Sequence, residues 1–130
     1  MAAVYILVQK KNPIYKIGKS ESPYKRFKQL SEVWGAFDID KSFVINCKSA
    51  EASKLEKALH FLAADYKIHF GVNERNGDTE FFNMKSYNMI KNFCESTLQD
   101  FRKNVFIKPF REIYEMGLSY DEYKRIKKYI

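Results

Sequence analysis

The strongest constraint on the fold is a pair of short apolar runs near the start of the chain. Residues 4–8 (VYILV) are β-branched and aromatic, and residues 14–17 (IYKI) resume the same extended pattern. Residues 10–13 (KKNP), between the two runs, have turn chemistry. The pattern predicts an antiparallel hairpin whose second strand ends at Gly18.

Two helices and a third strand are predicted after the hairpin. Ser22 precedes Pro23 and apolar residues then recur at helical spacing, which predicts a helix over residues 23–32 with Ser22 as its cap. Residues 41–47 (KSFVINC) predict a strand, and Ser49 is predicted to open a second helix. The buried stripe of that helix is predicted at four positions: Ala52, Leu55, Leu59 and Leu62.

The later part of the chain is less regular. Residues 76–77 (NG) predict a turn, residues 80–82 (EFF) a short extended piece, and Ser86 the cap of a third helix. Beyond about residue 100 the pattern changes, and residues 119–130 predict an amphipathic helix carrying several basic residues. That helix is predicted to pack on the domain or to act as a contact arm.

The chain of 130 residues is the size of one domain. We expect the α/β (α+β) class, with a small central antiparallel three-stranded sheet flanked by helices over residues 1–98. Residues 99–130 are expected to form a C-terminal helical extension packed on that domain.

Charge favours a polyanionic partner such as nucleic acid, because the formal net charge is +7. Residues 10–28 carry seven basic residues against one acid, Glu21. Many small proteins are basic for solubility alone, so charge does not fix the role. The candidate nucleic-acid-binding residues are Lys10, Lys11, Lys25 and Lys28.

The two cysteines, Cys47 and Cys94, are far apart in the sequence, and neither has the close cysteine neighbour of a disulfide framework or a zinc motif. This predicts buried thiols in a reducing interior. The first twelve residues have the pattern of neither a signal peptide nor a membrane span. We expect an intracellular protein with no membrane partner: cytoplasmic, or in the nucleus or viral factory if the source is a eukaryotic host or virus.

Four residues have the chemistry that a phosphodiester-cleaving site needs. Glu56 can hold one hydrated divalent ion, since Mg²⁺ keeps several waters and takes few protein carboxylates. Arg26 offers a planar fork to phosphate oxygens and Lys19 a point charge. Tyr5 can order or activate a water. Taken singly, Glu56, Arg26 and Lys19 also fit solvated surface residues, and Tyr5 a core tyrosine.

The order of these pieces resembles the GIY-YIG nuclease superfamily. The chain has AVY at residues 3–5, YKIGKS at 15–20, Arg26, LEKALH at 55–60 and EFF at 80–82. It is most similar to the subgroup with a KIG second motif found in phage, plasmid and large DNA virus proteins. The resemblance covers roughly residues 2–93.

The resemblance implies a single-metal endonuclease site acting on DNA. It assigns catalytic roles to Tyr5, Lys19 and Arg26 and the metal to Glu56, as one Mg²⁺ or Mn²⁺ ion, with His60 a weaker catalytic candidate one turn further along. No nucleotide cofactor is expected.

Two positions depart from the family pattern. Ala3 replaces the first glycine, and Lys16 stands where the second tyrosine is expected. Its neighbour Tyr15 is a further catalytic candidate, although it should point to the other face of the sheet because strand side chains alternate. Either Lys16 takes over the proton-transfer role, Tyr5 acts alone, or catalysis is weak or lost.

The leading hypothesis is therefore a divalent-metal-dependent DNA endonuclease. One alternative is a weak or inactive nucleic-acid-binding module on the same fold. The other is a protein-interaction module that uses the C-terminal helix.

Overall fold

The computed structural model describes residues 2–68, 81–98 and 106–127. The strands are β1 (Ala2–Gln9), β2 (Ile14–Ser20), β3 (Phe37–Cys47), β4 (Phe81–Asn83) and β5 (Phe106–Pro109). The α-helices are α1 (Pro23–Trp34), α2 (Ser49–Leu62), α3 (Tyr87–Phe93) and α4 (Phe110–Lys127). Short 3₁₀ turns at Ala64–Tyr66 and Met84–Ser86 and a π turn at Cys94–Leu98 complete the described elements.

The strands form one antiparallel sheet in the order β4-β2-β1-β3-β5. The predicted hairpin is confirmed, with Tyr5 opposite Gly18. The predicted three-stranded sheet is wrong, since the sheet has five strands. Strand β4 overlaps the extended piece predicted at residues 80–82 and pairs with β2, whereas β5 lies in the part of the chain that is predicted to be helical.

Side-chain alternation divides the core into two layers, one on each face of the sheet. On what we call the α2 face, Ile6, Tyr15 and Ile17 pack with buried residues of α2 and α3. On the α1 face, Tyr5 and Leu7 pack with residues of α1 and α4; these residues are Phe27, Leu30 and Phe110. Consecutive residues of β1 and β2 therefore belong to different layers.

Several element boundaries differ from the predictions. Strand β2 continues two residues beyond Gly18, because it keeps pairing with β1 as far as Ser20. Helix α1 ends at Trp34, two residues later than predicted. The third strand starts at Phe37, and the stripe of α2 buries Ala63 while Leu62 is largely exposed.

Three serines at predicted helix starts do not cap those helices. Ser22 and Ser86 precede helices but make no side-chain cap bond. Ser119 lies inside α4, where its hydroxyl donates to the Glu115 carbonyl oxygen at 3.1 Å. The last helix begins at Phe110, directly after Pro109, and not at residue 119. A proline is tolerated at the start of a helix, because its missing N–H is not needed there.

The C-terminal part contributes to the sheet as well as to a helix. Strand β5 pairs with β3 through residues 43–46, so the sheet contains strands from both sides of the predicted boundary between residues 98 and 99. The predicted turn at residues 76–77, and His69 and Glu80, lie outside the described residues. Cys47 and Cys94 are buried free thiols, as predicted. None of the described helices has the length and apolarity needed to cross a membrane.

Candidate functional site

Strand β2 has two halves that differ in what lies beside them. Strand β4 pairs with β2 only through Ile14, Tyr15 and Lys16. From Ile17 to Ser20, no strand of the described residues pairs with the outer edge of β2. We call this stretch the open edge of β2.

Helix α2 lies along the open edge and contacts it at two points. The His60 ring donates from Nε2 to the main-chain carbonyl oxygen of Ile17 at 3.0 Å. Nζ of Lys19 donates to Oγ of Ser53 at 2.5 Å. His60 also packs edge-on against Phe82, with ring centroids 5.1 Å apart. These contacts fix α2 alongside the last residues of β2.

Glu56 lies on the helix face that makes these contacts. Ser53, Glu56 and His60 are three and four residues apart, so they form one stripe along α2. Ser53 meets Lys19 and His60 meets Ile17, so the half-buried Glu56 lies between these two contacts on the same stripe. The predicted metal-binding residue is therefore on the helix face that lies along the open edge.

Tyr5 packs over Gly18 on the α1 face of the sheet. A Cβ atom built on Gly18 would clash with the hydroxyl and ring of Tyr5, so the phenol extends from β1 across the Gly18 backbone. Only glycine permits this close approach without a shift of the ring. The Tyr5 hydroxyl thus lies over Gly18 on the α1 face, whereas the stripe that carries Glu56 belongs to α2, on the α2 face.

Arg26 lies in the first turn of α1. This helix begins three residues after β2 ends, so its first turn lies at the Ser20 end of the sheet. Arg26 is half-buried beside Phe27, which packs on the α1 face. Its Nη1 donates a long bond of 3.5 Å to Oε1 of Gln29.

Lys16 is a fully buried lysine in the β4-paired half of β2. Its Nζ lies 5.4 Å from the centroid of the Phe81 ring, a cation–π contact within the α1 face. Lys16 and Tyr5 are diagonal neighbours on that face, because Lys16 pairs with Leu7 and Tyr5 with Gly18. No buried side-chain nitrogen or oxygen of the described residues lacks a hydrogen-bond partner.

Tyr15 belongs to the opposite layer, as strand alternation predicts. Its hydroxyl and that of Ser86 form a hydrogen bond of 2.6 Å. Burial raises the pKa of Tyr15 to about 12, against the lowering effect of that bond. Tyr15 therefore stays protonated near neutral pH and is not equipped to accept a proton there.

The basic candidates fall in different places. Lys25 is exposed on α1, whereas Lys28 forms an ion pair of 3.0 Å with Asp121 of α4. This pairing raises the pKa of the exposed Lys28 ammonium. Lys10 and Lys11 lie at the hairpin turn, at the far end of β2 from Lys19.

The donor set at the open edge suits a weakly coordinated, hydrated cation. Among residues 2–68, 81–98 and 106–127, no group of three or more His, Cys, Asp and Glu side chains is placed to hold a metal ion. A structural zinc site needs about four such ligands, but Mg²⁺ keeps several waters and needs only one or two carboxylates. Glu56 therefore fits Mg²⁺ or Mn²⁺ better than Zn²⁺.

One known domain family matches most of the chain. Residues 2–105 match the model of the T5orf172 domain. The chain belongs to the T5orf172 domain family. This phage-associated family is part of a nuclease-related group, which indicates a nuclease or DNA-binding role. Searches of curated proteins and of solved structures found no match.

The T5orf172 match spans every element from β1 to α3, and so covers all the candidate residues. The sequence predictions did not include Ser53, although helical spacing already places it on one stripe with Glu56 and His60. It also missed Phe81 as the ring beneath Lys16, because pairing of β4 with β2 sets that contact.

Proposed function

We propose that this T5orf172 protein is a divalent-metal-dependent DNA endonuclease with a single-metal site of the GIY-YIG type. The observation that supports it best is that the Tyr5 hydroxyl lies over Gly18, between Ile17 and Lys19, the two residues that contact the Glu56 stripe of α2. A phosphodiester at the open edge would meet a carboxylate, a phenol and the nearby guanidinium of Arg26 together.

Each residue has a separate part in hydrolysis. Glu56 would hold Mg²⁺ or Mn²⁺, which supplies charge stabilisation to the phosphate when bound. Arg26 pairs with phosphate oxygens as negative charge grows on them. Tyr5 orders the attacking water or accepts its proton, and Lys16 favours the ionised phenol because a cation stabilises a neighbouring anion.

Lys19 and His60 act beside this centre. Lys19 projects on the α2 face toward Ser53, so in the proposal its charge acts on the DNA backbone next to the cleaved bond. His60 uses its ring to bind Ile17, and its proposed role is to position α2. Tyr15, protonated and in the opposite layer, takes no part.

Plasmid nicking with Mg²⁺, Mn²⁺ or EDTA tests the proposal. We expect metal-dependent nicking, lost by about 100-fold or more in Glu56→Gln and in Arg26→Ala, because each removes charge stabilisation of the transition state. Glu51→Gln is the matched control: it lies on the same helix, about 140° around the axis from Glu56. Equal activity of Glu56→Gln and the control would reject the site.

A non-catalytic DNA-binding module is the second candidate. It is favoured by Lys16, which is fully buried where the family has its second tyrosine. Tight DNA binding without cleavage in any metal would establish this candidate in place of the nuclease.

A further inference from the structure

A second positively charged surface lies at the hairpin turn. A groove of about 600 Å³ is bounded there by the turn between β1 and β2, by part of β3 and by Met84. Three exposed lysines line it, Lys10, Lys11 and Lys41, and the exposed Lys85 directly follows Met84 of the lining. The proposed cleavage site does not use this surface.

The β3 wall of the groove is held by several hydrogen bonds. Pairing of β1 with β3 shifts register between Ile6 and Val8, so residues 39–42 bulge outward. The Ser42 hydroxyl donates to the Asp38 carbonyl oxygen at 2.6 Å and accepts from the Val8 N–H at 2.9 Å. The Asp38 carboxylate accepts the N–H of Lys41 at 3.2 Å. Lys41 is therefore presented on a fixed loop.

The opposite wall is also tied to the hairpin. The N–H of Met84 donates to the carbonyl oxygen of Pro13 at 2.9 Å. The next residue, Lys85, donates its N–H to Oδ1 of Asn83 at 2.9 Å. These bonds hold the exposed Lys85 near the lysines of the turn.

The nearby acids are already engaged. Asp40 forms a bidentate pair with Arg111, with bonds of 2.6 and 2.9 Å. That pairing lowers the pKa of Asp40. Asp38 accepts two main-chain N–H groups. Lys10, Lys11 and Lys41 line the groove together with one carboxylate, that of Asp38, so the lining is positive, which suits a phosphate backbone.

We propose that this groove is an anchor for the DNA backbone, separate from the cleavage site. The inference rests on the proposed function for its choice of DNA as the polyanion. Gly18 lies five residues beyond Pro13, the end of the turn, which corresponds to about 17 Å along β2. One duplex lying along the hairpin would cover that distance in about five base pairs. The anchor sets affinity, and the open edge performs the reaction.

Fluorescence anisotropy with a labelled 20-base-pair duplex tests the anchor without metal, so it needs no cleavage. We expect Lys10→Ala/Lys11→Ala/Lys41→Ala to weaken binding at least about tenfold at low salt. The slope of log affinity against log salt should fall by about 2.7, for three lost phosphate contacts. Lys85→Ala alone should lower it by about 0.9.

The control removes three exposed lysines elsewhere, in Lys54→Ala/Lys67→Ala/Lys108→Ala. All these positions are exposed, and circular dichroism melts should match those of the wild type. Equal affinities and slopes for the two triple variants would overturn the anchor, as would binding of an acidic protein in preference to DNA. If DNA binds through these lysines but is never cleaved, the anchor stands and the nuclease proposal fails.

Discussion

The two halves of strand β2 have the same backbone conformation but different surroundings. Tyr15 and Lys16 are paired on both edges, with β1 and β4, and their side chains are enclosed by aromatic rings such as Phe81 and Phe82. Among the described residues, Ile17 to Ser20 have a strand partner, β1, on one edge only, and polar groups of α2 lie along the other. The described pairing with β4 ends at Lys16, so α2 is the described neighbour of the open edge.

This contrast separates two tyrosines that are equally buried. Tyr15 is 0% exposed and Tyr5 is 2% exposed, so burial alone does not distinguish them. Tyr15 directs its hydroxyl into the layer beneath α3, whereas Tyr5 carries its hydroxyl over Gly18 to the open edge. The position of the hydroxyl relative to the strand edge decides which of them can take part in chemistry.

Gly18→Ala should have the largest effect, since its Cβ clashes with Tyr5. We expect a loss of about 1–3 kcal/mol in the free energy of unfolding from overpacking. Displacement of Tyr5 by about 1 Å should lower nicking by about 100-fold. Urea unfolding and nicking rates measure both effects. Adding Tyr5→Phe should recover part of the stability but no activity. A fully stable Gly18→Ala protein would contradict the described packing.

Lys16→Met tests whether Lys16, in the β4-paired half of β2, contributes to catalysis. Stability should fall by about 1 kcal/mol, because methionine fills much of the volume but loses the contact of Nζ with Phe81 and its hydrogen bond. Nicking should fall about tenfold or more, because the variant removes a positive charge from the diagonal neighbour of Tyr5. Lys67→Met, at an exposed position, is the control. Unchanged activity would make Lys16 purely structural.

His60→Ala should loosen α2 from the open edge. We expect Mn²⁺ affinity, measured by calorimetry, to fall about tenfold, as for other residues that orient a metal ligand. His60→Gln, whose amide can still donate to Ile17, should recover most of that affinity. If the Ala and Gln variants bind Mn²⁺ equally, His60 does not position Glu56.

Tyr15→Phe should have the smallest effect. Loss of the bond to Ser86 should cost about 1 kcal/mol, and nicking should change less than twofold. Because folding raises the pKa of Tyr15 from 10 to about 12, its protonated hydroxyl stabilises the fold fully below pH 10. That contribution is lost as the pH rises from 10 to 12.

The wild type should therefore lose its stability advantage over Tyr15→Phe in that pH range. Urea unfolding of both proteins from pH 8 to 11.5 measures the difference. Burial also raises the pKa of Cys94 to about 12. Because Cys94 is present in both proteins, its titration does not change the difference between their stabilities. A large loss of nicking in Tyr15→Phe would remove the contrast between the two tyrosines.

Local pattern was sufficient for the hairpin, α1, α2 and the opposite orientations of Tyr15 and Lys16. The alternation of strand side chains and the helical repeat are properties of neighbouring residues, so they are readable from sequence. The same repeat places Glu56 between Ser53 and His60. The match of residues 2–105 to the T5orf172 family also comes from sequence alone.

Tertiary structure decided the rest. The number of strands, the burial of Lys16 against Phe81 and the pairing of Lys28 with Asp121 all depend on residues more than sixty positions apart. Such contacts follow from how layers pack and leave no periodic signal. The sequence by itself determined which residues resemble those of a nuclease; the packing of α2 along β2 and of the Tyr5 ring over Gly18 decided where their side chains lie, because both depend on contacts between separate elements.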